Sequence, residues 1–238
     1  ACYDASGGRI APTDGPAAVT AIPQDQVNPV TGPVCGDGAE PGDALVIHFE
    51  EFDPSGRGWT ANIPGFGLLA DDFPDPALHH WQYDTAVSAP AAFSSQARVP
   101  LKPFPGTIGV APSQPGPHSM IPPRATGGNL DTRDLSKGAT LYLPVAVTGA
   151  LLSVGDTHAA QGDGEVCGTA IETAMDVQCR IGLIKQAHLG APQFDLPGPP
   201  TRHLDGQGYW VTTGVGPDLM QAARDACRAM IDRLCAEH

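Results

Sequence analysis

Alternation of apolar and polar positions marks the strands of this chain. Ala44 to Phe52 reads as a strand after the turn Pro41-Gly42-Asp43, with Leu45, Ile47 and Phe49 on one face and Val46, His48 and Glu50 on the other. Thr140 to Val147 alternates in the same way, and Pro144 within it argues for an edge or a bulge. Met175 to Ile184 is the cleanest case, with Met175, Val177, Cys179, Ile181 and Leu183 on one face. Shorter strands are expected at Val99 to Leu101, Gly106 to Val110, Leu151 to Val154, Val166 to Glu172 and Gly208 to Thr213. Asp75-Pro76 is expected to open a short helix reaching Tyr83. The one long helical pattern comes last, from Pro217 to about Ala236. Met220, Ala223, Cys227, Met230, Ile231 and Leu234 form its apolar stripe.

Composition agrees with a turn-rich β fold. The 238 residues include 29 glycines and 25 prolines, roughly twice their average share and without a collagen-like period. The expected class is therefore mainly β with some α+β character. Thirteen basic residues face 26 acidic ones, a net charge of −13. Such a surface repels nucleic acid and anionic lipid and suits a cytoplasmic protein. No apolar run reaches the roughly 20 residues of a membrane span. The six cysteines are scattered and contain no Cys-x-x-Cys, which fits reduced, packed thiols.

The strongest chemical candidate lies between Leu151 and Glu172. A hairpin with a four-residue loop at Ala159 to Gly162 would set His158 opposite Asp163 and Asp156 opposite Glu165. Three carboxylates and an imidazole would share a face, and like charges opposed across a sheet are destabilising. A divalent cation offsets them, and oxygen ligands with one imidazole suit zinc or manganese. Gly127 to Leu135 adds a second acidic group, with Asn129 and Asp131 on one face and Arg133 beside Asp134 or a substrate carbonyl. Cys167, two residues past Glu165, is a weaker candidate nucleophile beside His158. Glu40 is either a further ligand or a turn residue. His48, His79 and His80 read as structural or solvated.

The run of motifs resembles the acetamidase/formamidase family of small-amide hydrolases. The resemblance is carried by Asn28-Pro-Val-Thr-Gly-Pro33, Gly38-Ala-Glu-Pro-Gly-Asp43, Ile63-Pro-Gly-Phe-Gly-Leu-Leu69 and Pro103-Phe-Pro-Gly-Thr-Ile-Gly-Val-Ala-Pro112. It continues through Gly127-Gly-Asn-Leu-Asp-Thr-Arg-Asp-Leu135, Leu141-Tyr-Leu-Pro-Val145, the candidate hairpin and Thr213-Gly-Val-Gly-Pro-Asp-Leu-Met220. It implies a jelly-roll-like β-sandwich with a smaller α+β part, placed here roughly at 1–184 and 185–238. It also implies hydrolysis of formamide, acetamide or a similar short amide, a metal such as zinc, and a homo-oligomer. Lactam-cleaving enzymes belong to the same family. Members usually begin earlier and continue further, so an incomplete chain, a companion chain carrying the remainder, or a non-catalytic subunit are further expectations.

Joined to this reaction, the expected site gives the metal to Asp131, Asp156 and His158, completed by Asp163 or Glu165. The remaining carboxylate, Glu165 before Asp163, is general base and then acid. Asn129 or Gln161 holds the amide.

Overall fold

Leu45, Ile47 and Phe49 are almost fully buried, as their alternation requires, and they set the inner face of a sheet. The computed structural model describes residues 1–68, 70, 73–86, 89–95, 97–197 and 210–237. In chain order its elements are α1 (Ala17–Thr20), β1 (Val30–Val34), β2 (Ala44–Pro54), β3 (Arg57–Asn62) and β4 (Ala77–Gln82). Next come β5 (Ala91–Ala92), β6 (Arg98–Val99), β7 (Phe104–Gly109), β8 (Gly127–Asn129), β9 (Thr140–Pro144) and β10 (Leu152–Ala160). The last are β11 (Ile171–Glu172), β12 (Met175–Ile184), β13 (Gln193–Asp195), β14 (Trp210–Thr212) and α2 (Leu219–Glu237).

Two sheets carry the fold. The larger runs β4-β3-β11-β10-β7-β8, with β1 also paired to β10. The smaller runs β12-β2-β9-β13-β14. β5 and β6 form a separate two-stranded ribbon. Ile108 and Leu152 from the larger sheet meet Leu45, Ile47, Phe49, Leu141, Leu143 and Phe194 from the smaller in one core. Each such side chain contributes about 1.5–3 kcal/mol by leaving water, so the core fixes the two sheets face to face. The result is mainly β with a C-terminal helix, as the sequence implies. Past residue 184, β13 pairs with β9 and carries the smaller sheet on towards β14.

Some sequence expectations change. Residues from Asp75 onward form β4, not a helix, because Ala77 to Gln82 pair residue for residue with β3. That pairing buries Trp81 and overrides the local helix-start signal. β12 is the edge strand of its sheet and shifts register between Gln178 and Cys179. Val177, Cys179 and Leu183 pack on the core as expected, while Ile181 is exposed. Helix α2 matches its predicted span and leans on β14, where the Thr212 hydroxyl donates to the Ala226 carbonyl at 2.8 Å. The side chains of Met220, Cys227, Ile231 and Leu234 in its predicted stripe lie outside the described residues, as do Gly208 and Tyr209 of the predicted last strand. No helix among the described residues is long and apolar enough to cross a membrane.

Candidate active site

β10 is the central strand of the larger sheet. Its first half lies between β1 and β7, and its second half between β11 and β7. A side chain on it is therefore buried unless it faces a cavity. Gly155 lets β1 cross closely: a Cβ there would stand 2.2 Å from the Pro29 carbonyl oxygen. Asp156 follows in the left-handed region, φ 50°, and drops out of the ladder with β7 between Gly155 and Thr157. Asp131 has φ 45°. Such backbone is costly for residues other than glycine and persists where surrounding contacts hold it.

Those contacts are specific. One Asp156 oxygen, Oδ2, accepts from Asn28 Nδ2 at 2.9 Å and from Thr107 Oγ1 at 3.1 Å. Its other oxygen, Oδ1, has no hydrogen-bond partner and stands 3.4 Å from His158 Nε2. Glu172 Oε1 accepts from the Ala170 amide at 3.0 Å. Glu172 Oε2 accepts from the Ala5 amide at 3.4 Å and also stands 3.4 Å from His158 Nε2. Each carboxylate has one oxygen held by protein donors and the other turned towards the imidazole, and in Glu172 that second oxygen also accepts from Ala5.

The imidazole is oriented from its far side. Gln161 Nε2 donates to the Asp131 carbonyl at 2.7 Å, which leaves Gln161 Oε1 facing His158 Nδ1 at 3.1 Å. His158 Nδ1 therefore carries the donated proton, and Nε2 presents its lone pair to Asp156 and Glu172. Phe104 packs edge-on against the ring, centroids 5.0 Å apart. A lone pair aimed at two carboxylates is repulsive unless a cation or a proton lies between them.

The electrostatics carry the same strain. Asp156, His158 and Glu172 are each at most 3% exposed. Burial, and then the charges of Asp156 and Glu172, push the Asp131 carboxyl up to about 7, with His158 opposing. Burial, and then Glu172 and Asp131, push Glu165 up to about 9. Burial also raises Glu172. Burial disfavours a charged His158, but Glu172 and Asp156 outweigh it and hold the ring well above its ordinary value. Asp131 Oδ1, Asp156 Oδ1 and His158 Nε2 are buried without a hydrogen-bond partner.

These features fit a metal ion. The ligand atoms of Asp131, Asp156 and His158 lie within 4.8 Å of one another, and so do those of His158, Glu165 and Glu172. The two groups share His158, and Gln161 engages its Nδ1, so the geometry favours one ion at Nε2. Gly106 keeps the space open. A Cβ there would come within 2.6 Å of His158 Cε1 and 2.8 Å of Asp131 Oδ1.

Asp131, Asp156, His158 and Glu165 thus converge as the sequence suggests, but the hairpin does not close where expected. β10 continues through Ala160, and residues 161–170 form the connection to β11. His158 faces Glu172, not Asp163. Ala159 and Ala160 are buried in the sheet, which displaces the turn. The Asp163 side chain is 93% exposed and pairs with Arg133 at 2.7 Å, so it lies outside the cluster. Asp134, beside Arg133 in sequence, pairs with Lys102 at 2.5 Å. Asn129 stands behind Asp156: its Oδ1 accepts from Thr107 at 2.9 Å and Asn28 at 3.3 Å, and its Nδ2 donates to Ile121 O. Cys167 Sγ lies 3.4 Å from the Thr169 carbonyl, and no described contact joins it to His158. Glu40 is exposed and accepts from Thr148 at 2.8 Å. Glu172, Asn28, Thr107 and Gly106 are the participants that sequence spacing missed. The available signal for Glu172 was a carboxylate at the end of an apolar returning strand.

A cavity of about 900 Å³ adjoins the cluster, with Gln161 and Glu165 in its wall. The site thus reaches open space through two polar side chains.

Comparison with known proteins places this arrangement. The acetamidase/formamidase family model matches residues 1–120 and 116–237. The formamidase of Methylophilus methylotrophus is 30% identical over 83% of this chain, and the acetamidase of Mycolicibacterium smegmatis is 28% identical over 77%. The chain spans 61% and 60% of those two proteins, under two thirds of each. Among solved structures, an acetamidase from Bacillus halodurans superposes with a TM-score of 0.85 at 32% identity, covering 96% of this chain and 72% of that one. A gamma lactamase from Delftia acidovorans superposes at 0.77 with 27% identity, covering 98% and 72%. The chain belongs to the acetamidase/formamidase family.

Proposed function

We propose that this chain hydrolyses the C–N bond of a carboxamide, releasing ammonia and a carboxylate. The observation that carries this reading is the set of three buried, unpartnered ligand atoms beside a cavity, on Asp131, Asp156 and His158. Family membership supplies the reaction class. In this reading Asp131, Asp156, His158 and Glu172 hold one divalent cation. A mixed imidazole and carboxylate set of this kind suits zinc. When bound, such an ion polarises a carbonyl and lowers the pKa of a water to about 7.

The chain's own residues do the rest. Glu165 borders both the cluster and the cavity, and a cation held beside it would favour its ionised form against the burial that raises it, so it is the carboxylate able to take a proton from the attacking water and return it to the leaving amine. Gln161 keeps the His158 lone pair turned inward and stands where an amide would enter. Asn129 orients Asp156 through Thr107 and Asn28. Asp163, exposed and ion-paired, takes no part in this reading.

Ammonia release from formamide and acetamide by the purified protein tests the proposal, before chelation, after it, and after zinc is restored. Turnover that survives complete chelation sinks the metal assignment. Ammonia release absent in the zinc-loaded protein sinks the amidase reading. Glu165→Gln is expected to lower kcat at least about 100-fold. The likeness to a gamma lactamase favours a second reading, cleavage of a cyclic amide by the same residues, read out by lactam ring opening. A homo-oligomer, a companion chain and a cytoplasmic location complete the proposal, and sedimentation of the native protein tests the first two.

A further inference from the structure

We infer that the amide this site takes carries a neutral, apolar acyl group, aliphatic or aromatic, larger than the one-carbon acyl group of formamide or the methyl of acetamide. The inference rests on the amidase reading and concerns what fills the cavity beside it. At about 900 Å³ the cavity falls in the class that encloses drug-sized ligands, and formamide would leave most of it empty.

The wall chemistry defines the occupant. Among the described residues, Phe73, Trp81, Val99, Pro100, Val166 and Ile171 give the lining its apolar surface. Its two cations are already engaged, Lys102 with Asp134 at 2.5 Å and Arg133 with Asp163 at 2.7 Å. Among the described residues an anionic acyl group would find no uncommitted positive charge there, and it would approach Glu165.

The apolar character continues to the mouth. Phe73 and Val166 are each more than half exposed. Leu68, 80% exposed, is tied to Val166 through its amide, which donates to the Val166 carbonyl at 2.9 Å. Phe66 lies over Gly168, where a Cβ would approach within 2.3 Å of its ring. Large apolar side chains grouped at the rim of a cavity mark a surface that receives a ligand. Glu165 and Gln161 join this cavity to the buried cluster, so an acyl chain in it would present its amide carbon to the reacting groups.

The test is kcat/KM of the zinc-loaded protein along a homologous series: formamide, acetamide, butyramide and hexanamide, with phenylacetamide as the aromatic member. Each methylene buried in the cavity should raise kcat/KM about three- to fourfold, so hexanamide, with four more methylenes, should exceed acetamide by on the order of 100-fold. Phe73→Asp charges the mouth and Ala77→Trp narrows the cavity. Each should lower the hexanamide-to-acetamide ratio about tenfold. A flat or falling series, or a ratio untouched in both variants, overturns the inference and leaves the amidase reading standing. If no amide is cleaved, the amidase reading fails. Calorimetric titration with phenylacetamide then decides the cavity separately: binding weakened by Ala77→Trp upholds an apolar ligand site, and no binding to the wild type overturns it.

Discussion

His158 and Glu172 face each other across β10 and β11, and Glu172 Oε2 stands 3.4 Å from His158 Nε2. Both side chains are at most 2% exposed. A buried carboxylate turned towards an imidazole nitrogen needs a cation or a proton between the two, so removing its charge should be felt by a bound cation. Glu172→Gln keeps the shape, and its one amide oxygen can still accept from the Ala170 amide, the shorter of the two backbone contacts. It is expected to weaken zinc binding at least about 100-fold, measured by competition with a chromogenic chelator. Affinity within threefold of wild type would remove Glu172 from the ligand set.

Asp131 offers a test with opposite signs in two states. Its carboxyl is pushed up to about 7 by burial and by Asp156 and Glu172. The unfolded chain, with its ordinary value near 4, ionises first. Ionisation therefore favours unfolding increasingly as pH rises from about 4 to 7, and the penalty is complete above that. Asp131→Asn should stabilise the chelated protein at pH 8 by ~1–3 kcal/mol while weakening zinc binding. Thermal melts with and without chelator read both arms. A chelated variant less stable than wild type would contradict the picture of strained like charges.

Much of this site was legible because chemistry and periodicity agreed locally. Asp156 and His158 sit two apart on a strand, and Asp131 stands in the second acidic group of the sequence, two residues from Asn129. The smaller sheet was legible for the same reason, in Leu45, Ile47 and Phe49. The register of the β10–β11 pair was not. It depends on where the chain turns, and two small residues, Ala159 and Ala160, look like a loop in sequence but are buried as strand. That slip gave Asp163 the place Glu172 holds. Asn28 and Thr107 were hidden for another reason. They reach Asp156 from β7 and from the segment before β1, and no spacing rule links residues 128 and 49 positions apart. The same blindness turned β4 into a helix, because its pairing with β3 is a tertiary fact.

Gly106 is a packing test of the same cluster. It lies on β7 beside Asp156, and a methyl there would meet His158 Cε1, Asp131 Oδ1 and the Asp156 carbonyl oxygen at 2.6–2.8 Å. The His158 ring and the Asp156 backbone are buried and held in the sheet, and Asp131 Oδ1 is enclosed beside them, so the methyl finds little room. Gly106→Ala should cost about 1–3 kcal/mol of stability by overpacking and should lower zinc affinity more than tenfold. Denaturant unfolding and metal titration measure the two effects. A variant with wild-type zinc affinity would show that the space above Gly106 is not the cation's.

The last prediction concerns the turn that starts β2, away from the cluster. Asp43 is 1% exposed, and its carboxylate accepts from Lys185 Nζ at 2.6 Å, from the Gln186 amide at 3.0 Å and from the Glu40 amide at 2.8 Å. The Lys185 hydrogen bond, with the backbone donors, holds its carboxyl down at about 2. The folded state therefore binds the Asp43 proton less readily than the unfolded chain does, whose value is near 4. The stabilisation is fully present above about pH 4 and disappears as pH falls from about 4 to 2. Asp43→Asn should lower stability at pH 7 and remove this part of the acid dependence, so that wild type and variant converge towards pH 2. Denaturation midpoints collected from pH 7 to pH 2 in the presence of chelator would show it. Parallel curves, with a constant gap down to pH 2, would mean that Asp43 acts through packing and not through its charge.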